Sequence, residues 1–146
     1  MVSDVQKLRE VTGAGVMDCK RALDEAKGDF DQAVKIIHEK GATKVEKRAG
    51  RETGAGLVQS YVHNERIGVL LELRSETDFV ARSEPFKKLA HDLVMHIAAM
   101  APQNVEELMA QPYVRDQGQT VQQIVNGVIA LVGENIKVAS FYRMEV

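Results

Sequence analysis

Apolar residues in the first part of the chain recur at helical spacing. Val5 and Leu8 share a face of a first predicted helix, which stops at the TGAG turn of residues 12–15. A second helix is predicted over Val16 to Lys27. At 100° per residue its Val16, Cys19, Ala22, Leu23 and Ala26 form one stripe. Gly28 supplies a stop, and Asp29, with Gln32 three residues on, is a good cap for a third helix. That helix places Phe30, Ala33, Val34 and Ile37 on its inner face, and Gly41 is expected to end it. Three helices of this length form a small module, marginal on its own. Residues 42–56 (ATKVEKRAGRETGAG) are charged and then glycine-rich, and read as an exposed helix fraying into a loop.

From Leu57 the period changes to two. LVQSYVH and IGVLLELR, separated by NER, predict an antiparallel hairpin with Ile67, Val69, Leu71 and Leu73 on one face. After TDFVAR, Ser83 caps a long helix with Pro85 in its first turn. Its apolar stripe is Phe86, Leu89, Ala90, Leu93, Val94, Ile97 and Ala98, and Pro102 marks its end. A short helical piece spans Val105–Ala110, followed by the loop QPYVRDQG. Thr120 with Gln123 makes a capping box for a helix carrying Val121, Ile124, Val125 and Val128, closed by Gly133. In the tail NIKVASFYRMEV, Ile136, Val138, Tyr142 and Met144 fall on one side of a predicted third strand. The expected fold class is α+β: a three-helix module (residues 1–41), a charged and glycine-rich linker (42–56), and a core domain (57–146) with a three-stranded antiparallel sheet packed by helices.

Composition narrows the function classes. Of 146 residues, 45% are hydrophobic and 27% charged, the balance of a globular chain. The net charge of −2 argues against a general nucleic-acid binder. A single cysteine, Cys19, leaves no disulfide framework and fits a reducing compartment. The N-terminus is charged from the start, so no secretory signal is expected. No apolar run approaches the ~20 residues of a membrane span. The expectation is a cytosolic-type chain, a composition shared by processed organelle proteins.

Catalytic chemistry finds little footing. The sequence has neither a phosphate-binding G-x-x-x-x-G-K-[ST] loop nor a G-x-G-x-x-G turn after a strand. His91 and His96 are five apart on one helix, and no Cys or His completes a zinc set. Cys19 lies on an apolar stripe and reads as a buried structural thiol. No catalytic residue, metal or cofactor is expected. The basic residues Lys44, Lys47, Arg48 and Arg51 are interrupted by Glu46 and Glu52 and lack aromatics for base stacking, which favours a solvated linker over an RNA site.

The remaining candidates are positions for a protein partner. Met17 and Lys20 lie off the core stripe of the second helix; the plainer reading is that Met17 only covers the TGAG turn. His96 flanks the buried stripe of the long helix, where a surface or half-buried histidine is the ordinary outcome. Gly133-Glu134-Asn135 is ordinarily a helix stop and a turn. Phe79 fits neither neighbouring periodicity. Asp78 beside it calls for water or a donor, which places the pair at a surface edge. Two readings stay open: a plug for the local core, or an interface anchor.

Four stretches resemble one family. LREVTGAGVMDCKRAL (8–23) is similar to the N-terminal signature of bacterial elongation factor Ts, and TDFVAR (77–82), MHIAA (95–99) and GENIKV (133–138) are similar to its core signatures. They occur in family order and span nearly the whole chain. The resemblance implies a guanine-nucleotide exchange factor, not an enzyme, acting on the GTPase elongation factor Tu. It implies a ubiquitin-associated-like N-terminal module with docking contacts at Met17 and Lys20, and a weaker or reshaped contact at Val16, where relatives commonly carry Met. Asp78 and Phe79, with Val80 next to them, match the pair that wedges beside the nucleotide site. Val132 and Gly133 match a second contact, and His96 matches a contact with another domain of the GTPase.

There are departures. Ala139 and Ser140 replace a basic pair, a long helical excursion before QPYVRDQ is missing, and only one core unit is present. Long family members have a duplicated core, so the resemblance implies a homodimer through residues 55–146. The rival readings are an adaptor using the N-terminal module alone, or an RNA-binding accessory using Lys44–Arg51.

Overall fold

The computed structural model describes residues 2–146. The N-terminal bundle consists of α1 (Val2–Thr12), α2 (Val16–Glu25) and the first half of α3 (Phe30–Arg48). Leu8, Cys19, Ala22, Leu23, Ala26, Ala33 and Ile36 form its core. Gly28 closes α2 with φ 87° and donates its N–H to the Leu23 carbonyl. Asp29 then caps α3 by accepting from the Gln32 N–H at 2.9 Å.

The third helix does not stop at Gly41. It runs unbroken for 19 residues to Arg48. A glycine in a helix interior costs only about 1 kcal/mol, and the far end of α3 has tertiary support. Val45 packs against the second core, and the Arg48 guanidinium donates to the Ile129 carbonyl at 3.1 Å. One helix therefore belongs to both cores.

The larger core is built on a sheet of order β1-β2-β5, from β1 (Ala55–His63), β2 (Ile67–Ser75) and β5 (Ile136–Glu145), all antiparallel. Gly56 is required at its place in β1: with φ 155°, an added Cβ would lie 2.3 Å from the Leu73 carbonyl oxygen. Between the strands come α4 (Asp78–Ala81), α5 (Glu84–Met100), α6 (Val105–Ala110), a hairpin of β3 (Pro112–Tyr113) and β4 (Asp116–Thr120), and α7 (Val121–Val132). Helix α5 lies across the inner face of β1 and β2, with α7 beside it. Its whole predicted stripe is buried, from Phe86 to Ala98. The Thr120–Gln123 capping box is present, and Gly133 ends α7 with φ 75°.

Two predicted details differ. The loop QPYVRDQG is a short hairpin, with no alternating apolar pattern to announce it. In β5 the register slips: Val138 pairs with Leu73 but Ser140 with Glu72, leaving Ala139 as an extra residue. Such a bulge reverses the inward and outward positions beyond it. Ile136 and Val138 enter the core as predicted, but Tyr142 and Met144 face outward. Phe141 packs inward instead, and Arg143 donates to the Ala98 carbonyl of α5 at 3.0 Å.

Candidate partner-binding surface

The corner after β2 is built by hydrogen bonds in sequence. The Ser75 hydroxyl, fully buried, donates to the Thr77 carbonyl at 2.9 Å. Thr77 is extended and caps α4, its Oγ1 accepting from the Val80 N–H at 3.3 Å. The Ser83 hydroxyl then donates to the Val80 carbonyl at 2.6 Å. Helix α4 is one turn long, and its Val80 and Ala81 are buried in the core. Residues about 100° apart cannot all face inward, so Asp78 and Phe79 are turned outward. Phe79 is 86% exposed. It is no plug for the local core. Val80, placed with it as a partner contact, is a core residue: its side chain anchors the corner from inside.

The turn after α7 abuts this corner. Glu134 accepts from the Thr77 N–H at 3.0 Å and from its hydroxyl at 2.7 Å. The Asn135 N–H donates to Glu76 at 2.8 Å. Val132 and Gly133, both half-buried, thus sit at the same end of the core as Asp78 and Phe79. In the N-terminal bundle Val16, Met17 and Lys20 are exposed on α2. The basic segment has other partners: Lys44 pairs with Asp18, Arg48 with the Ile129 carbonyl, and Arg51 lies 3.6 Å from Glu76. These contacts argue against an RNA-binding role for the segment.

His96 is not a surface contact. It is fully buried, because the β3–β4 hairpin covers the flank of α5 that periodicity leaves half-exposed. Its Nδ1 accepts from the Val114 N–H at 3.2 Å, which places the ring proton on Nε2, where it donates to the Gln111 side chain at 2.9 Å. The ring stacks on Tyr113 with centroids 5.9 Å apart. The neighbouring Asp92 pairs with Lys88 and Arg115 rather than with His96.

Burial lowers the His96 pKa from the ordinary 6.5, against a smaller raising effect of the Gln111 hydrogen bond. The sign follows. Below about pH 6.5 the unfolded chain takes up the proton before the native one does, so stability falls with falling pH between the ordinary and the depressed values. Thermal unfolding from pH 7.5 down to 5.0 is expected to show this slope, at most about 1.4 kcal/mol per pH unit. His96→Gln should remove that contribution; an unchanged slope would mean other groups set it.

Among the described residues, no group of three or more His, Cys, Asp or Glu side chains is arranged to hold a metal ion. No helix among them is long and apolar enough to cross a membrane.

An elongation factor Ts from Fervidobacterium nodosum is 42% identical to this chain, covering 97% of it and 95% of the relative. The chain belongs to the elongation factor Ts family. Residues 76–146 match the family described as Elongation factor TS. The elongation factor Ts of Thermotoga maritima is 40% identical over 97% of this chain and 94% of its own length. That of Trichlorobacter lovleyi is 43% identical over 140 residues, 95% of this chain but 45% of the relative. The Fervidobacterium alignment runs over 188 positions, more than the 146 residues present here, so that family member carries residues this chain lacks. Family membership makes the chain a translation elongation factor, with a role in protein biosynthesis.

Proposed function

We propose that this chain accelerates release of GDP from elongation factor Tu, with Phe79 as the group that drives the change. The observation carrying this reading is the outward Phe79 ring, 86% exposed on a one-turn helix held on both sides. A large apolar side chain kept in water on a stiff support is suited to a partner's pocket, because little freedom is left to lose on docking. Exchange follows from linkage. The GTPase has one arrangement that grips GDP and Mg²⁺ and others that do not. A partner favouring the latter weakens nucleotide binding by the same factor by which nucleotide weakens the partner. Rebinding of GTP then displaces the factor. No covalent bond is made or broken, so the protein acts as an exchange factor rather than an enzyme, and works in the cytoplasm.

In this reading residues 1–41 form the docking module, using Met17, Lys20 and Val16. Residues 42–56 connect it to the core domain, residues 57–146, where Asp78, Val132 and Gly133 flank the wedge. The core works as a homodimer. The outer sheet face carries Val58, Val62, Leu70, Tyr142 and Met144, each between 50% and 74% exposed. Sheets of this kind are covered on their apolar face, and a two-fold copy presents the same patch in return. The dimer reading rests on this face and not on His96.

The test is direct. Elongation factor Tu loaded with fluorescent GDP should lose it faster when substoichiometric amounts of the chain and excess unlabelled nucleotide are added. Release at the unassisted rate would overturn the exchange reading.

A further inference from the structure

Three segments distant in sequence meet behind the Phe79 corner: Ala49–Arg51 after α3, Glu76–Thr77 after β2, and Glu134–Asn135 after α7. The Asn135 side-chain amide donates to the Arg51 carbonyl at 3.0 Å and the Ala49 carbonyl at 3.4 Å. Its backbone N–H binds Glu76, which also faces Arg51. Glu134 grips both donors of the α4 cap residue, with one oxygen on the Thr77 N–H and the other on the Thr77 hydroxyl.

We propose that Glu134 is a positioning residue for exchange: its two-handed hold on Thr77 fixes the direction in which Phe79 points. The proposal rests on the exchange reading above. A single helical turn is too short to hold itself in water. The aim of the Phe79 ring therefore depends on what fixes Thr77 and Val80. Val80 is fixed by burial and by the Ser83 hydroxyl, and Thr77 by Ser75 at its carbonyl and by Glu134 at its N–H and hydroxyl. Donating its hydroxyl proton to Glu134 also leaves Thr77 Oγ1 with a free lone pair for the Val80 N–H. Removing the carboxylate lets the hydroxyl rotate and the cap weaken together. An exposed ring on a loosened turn samples more directions, and ordering it on docking then costs more.

The alternative is that Glu134 only fastens two loops for stability. Two measurements separate these roles. The chain contains no tryptophan, so Phe79→Trp supplies a sole indole whose time-resolved anisotropy reports local motion without any partner. Adding Glu134→Ala is expected to enlarge the fast, local component of the decay; an unchanged decay overturns the proposal. In GDP-release assays Glu134→Ala is expected to slow exchange by about three- to tenfold, the equivalent of one or two hydrogen bonds. In the Phe79→Ala background it should cause no further loss. Thr77→Ser, which keeps both donors, should retain the rate, whereas Thr77→Val should lose it as Glu134→Ala does. An equal loss with and without the Phe79 ring would show a merely structural role and overturn the proposal. If the unaltered chain releases no GDP, the exchange reading fails, and the anisotropy comparison still decides whether Glu134 fixes residue 79.

Discussion

Phe79→Ala is expected to slow assisted GDP release by at least about 30-fold while leaving the melting temperature unchanged. A hot-spot aromatic contributes at least about 2 kcal/mol when truncated, which corresponds to roughly that factor in rate. The fold should not notice. The ring is 86% exposed, and substitutions at such positions stay within about 0.5 kcal/mol. Alanine is also the better helix former, so the one-turn α4 is not weakened. Thermal denaturation and fluorescent-GDP release on the same preparation check both halves. A lowered melting temperature with normal exchange by the folded fraction would return Phe79 to a structural role.

The second large effect concerns assembly. The unaltered chain is expected to sediment at twice its 16.2 kDa at micromolar concentration. The double change Leu70→Glu, Tyr142→Glu should yield monomers. These two residues are direct neighbours across β2 and β5, on the outward face. In a two-fold interface both copies carry both changes, so four carboxylates would be placed in it. An uncompensated buried charge costs about 3–5 kcal/mol, and two are introduced on each side. That is enough to move a micromolar dimer far beyond working concentrations. Analytical ultracentrifugation decides it. A monomer from the unaltered chain would remove the dimer from the mechanism.

The architecture was legible wherever one period persisted over several turns. The α5 stripe, the β1–β2 hairpin, the Asp29 cap and the Thr120 capping box follow directly from spacing. Features set by distant contacts were not legible. Gly41 reads as a stop because a local rule cannot anticipate Val45 and Arg48 finding partners in the other core. A period of two puts Tyr142 and Met144 on the inner face because it cannot register a single extra residue, Ala139. His96 reads as a surface or half-buried residue because the hairpin covering it has no apolar alternation of its own. The direction of Phe79 stayed open for a different reason: four helical residues are too few to define a face, and only the burial of Val80 and Ala81 settles it. Gly133-Glu134-Asn135 reads only as a helix stop and a turn, since the partner of Glu134 lies 57 residues away.

Because α3 is a single rod seated in two cores, its length also sets an angle. One residue inserted between Gly41 and Lys44 would swivel the N-terminal bundle by about 100° and advance it by about 1.5 Å along the rod. The face bearing Met17 would then look elsewhere with the packing inside each core untouched. The spacing along this helix is thus a gear setting as well as a tether.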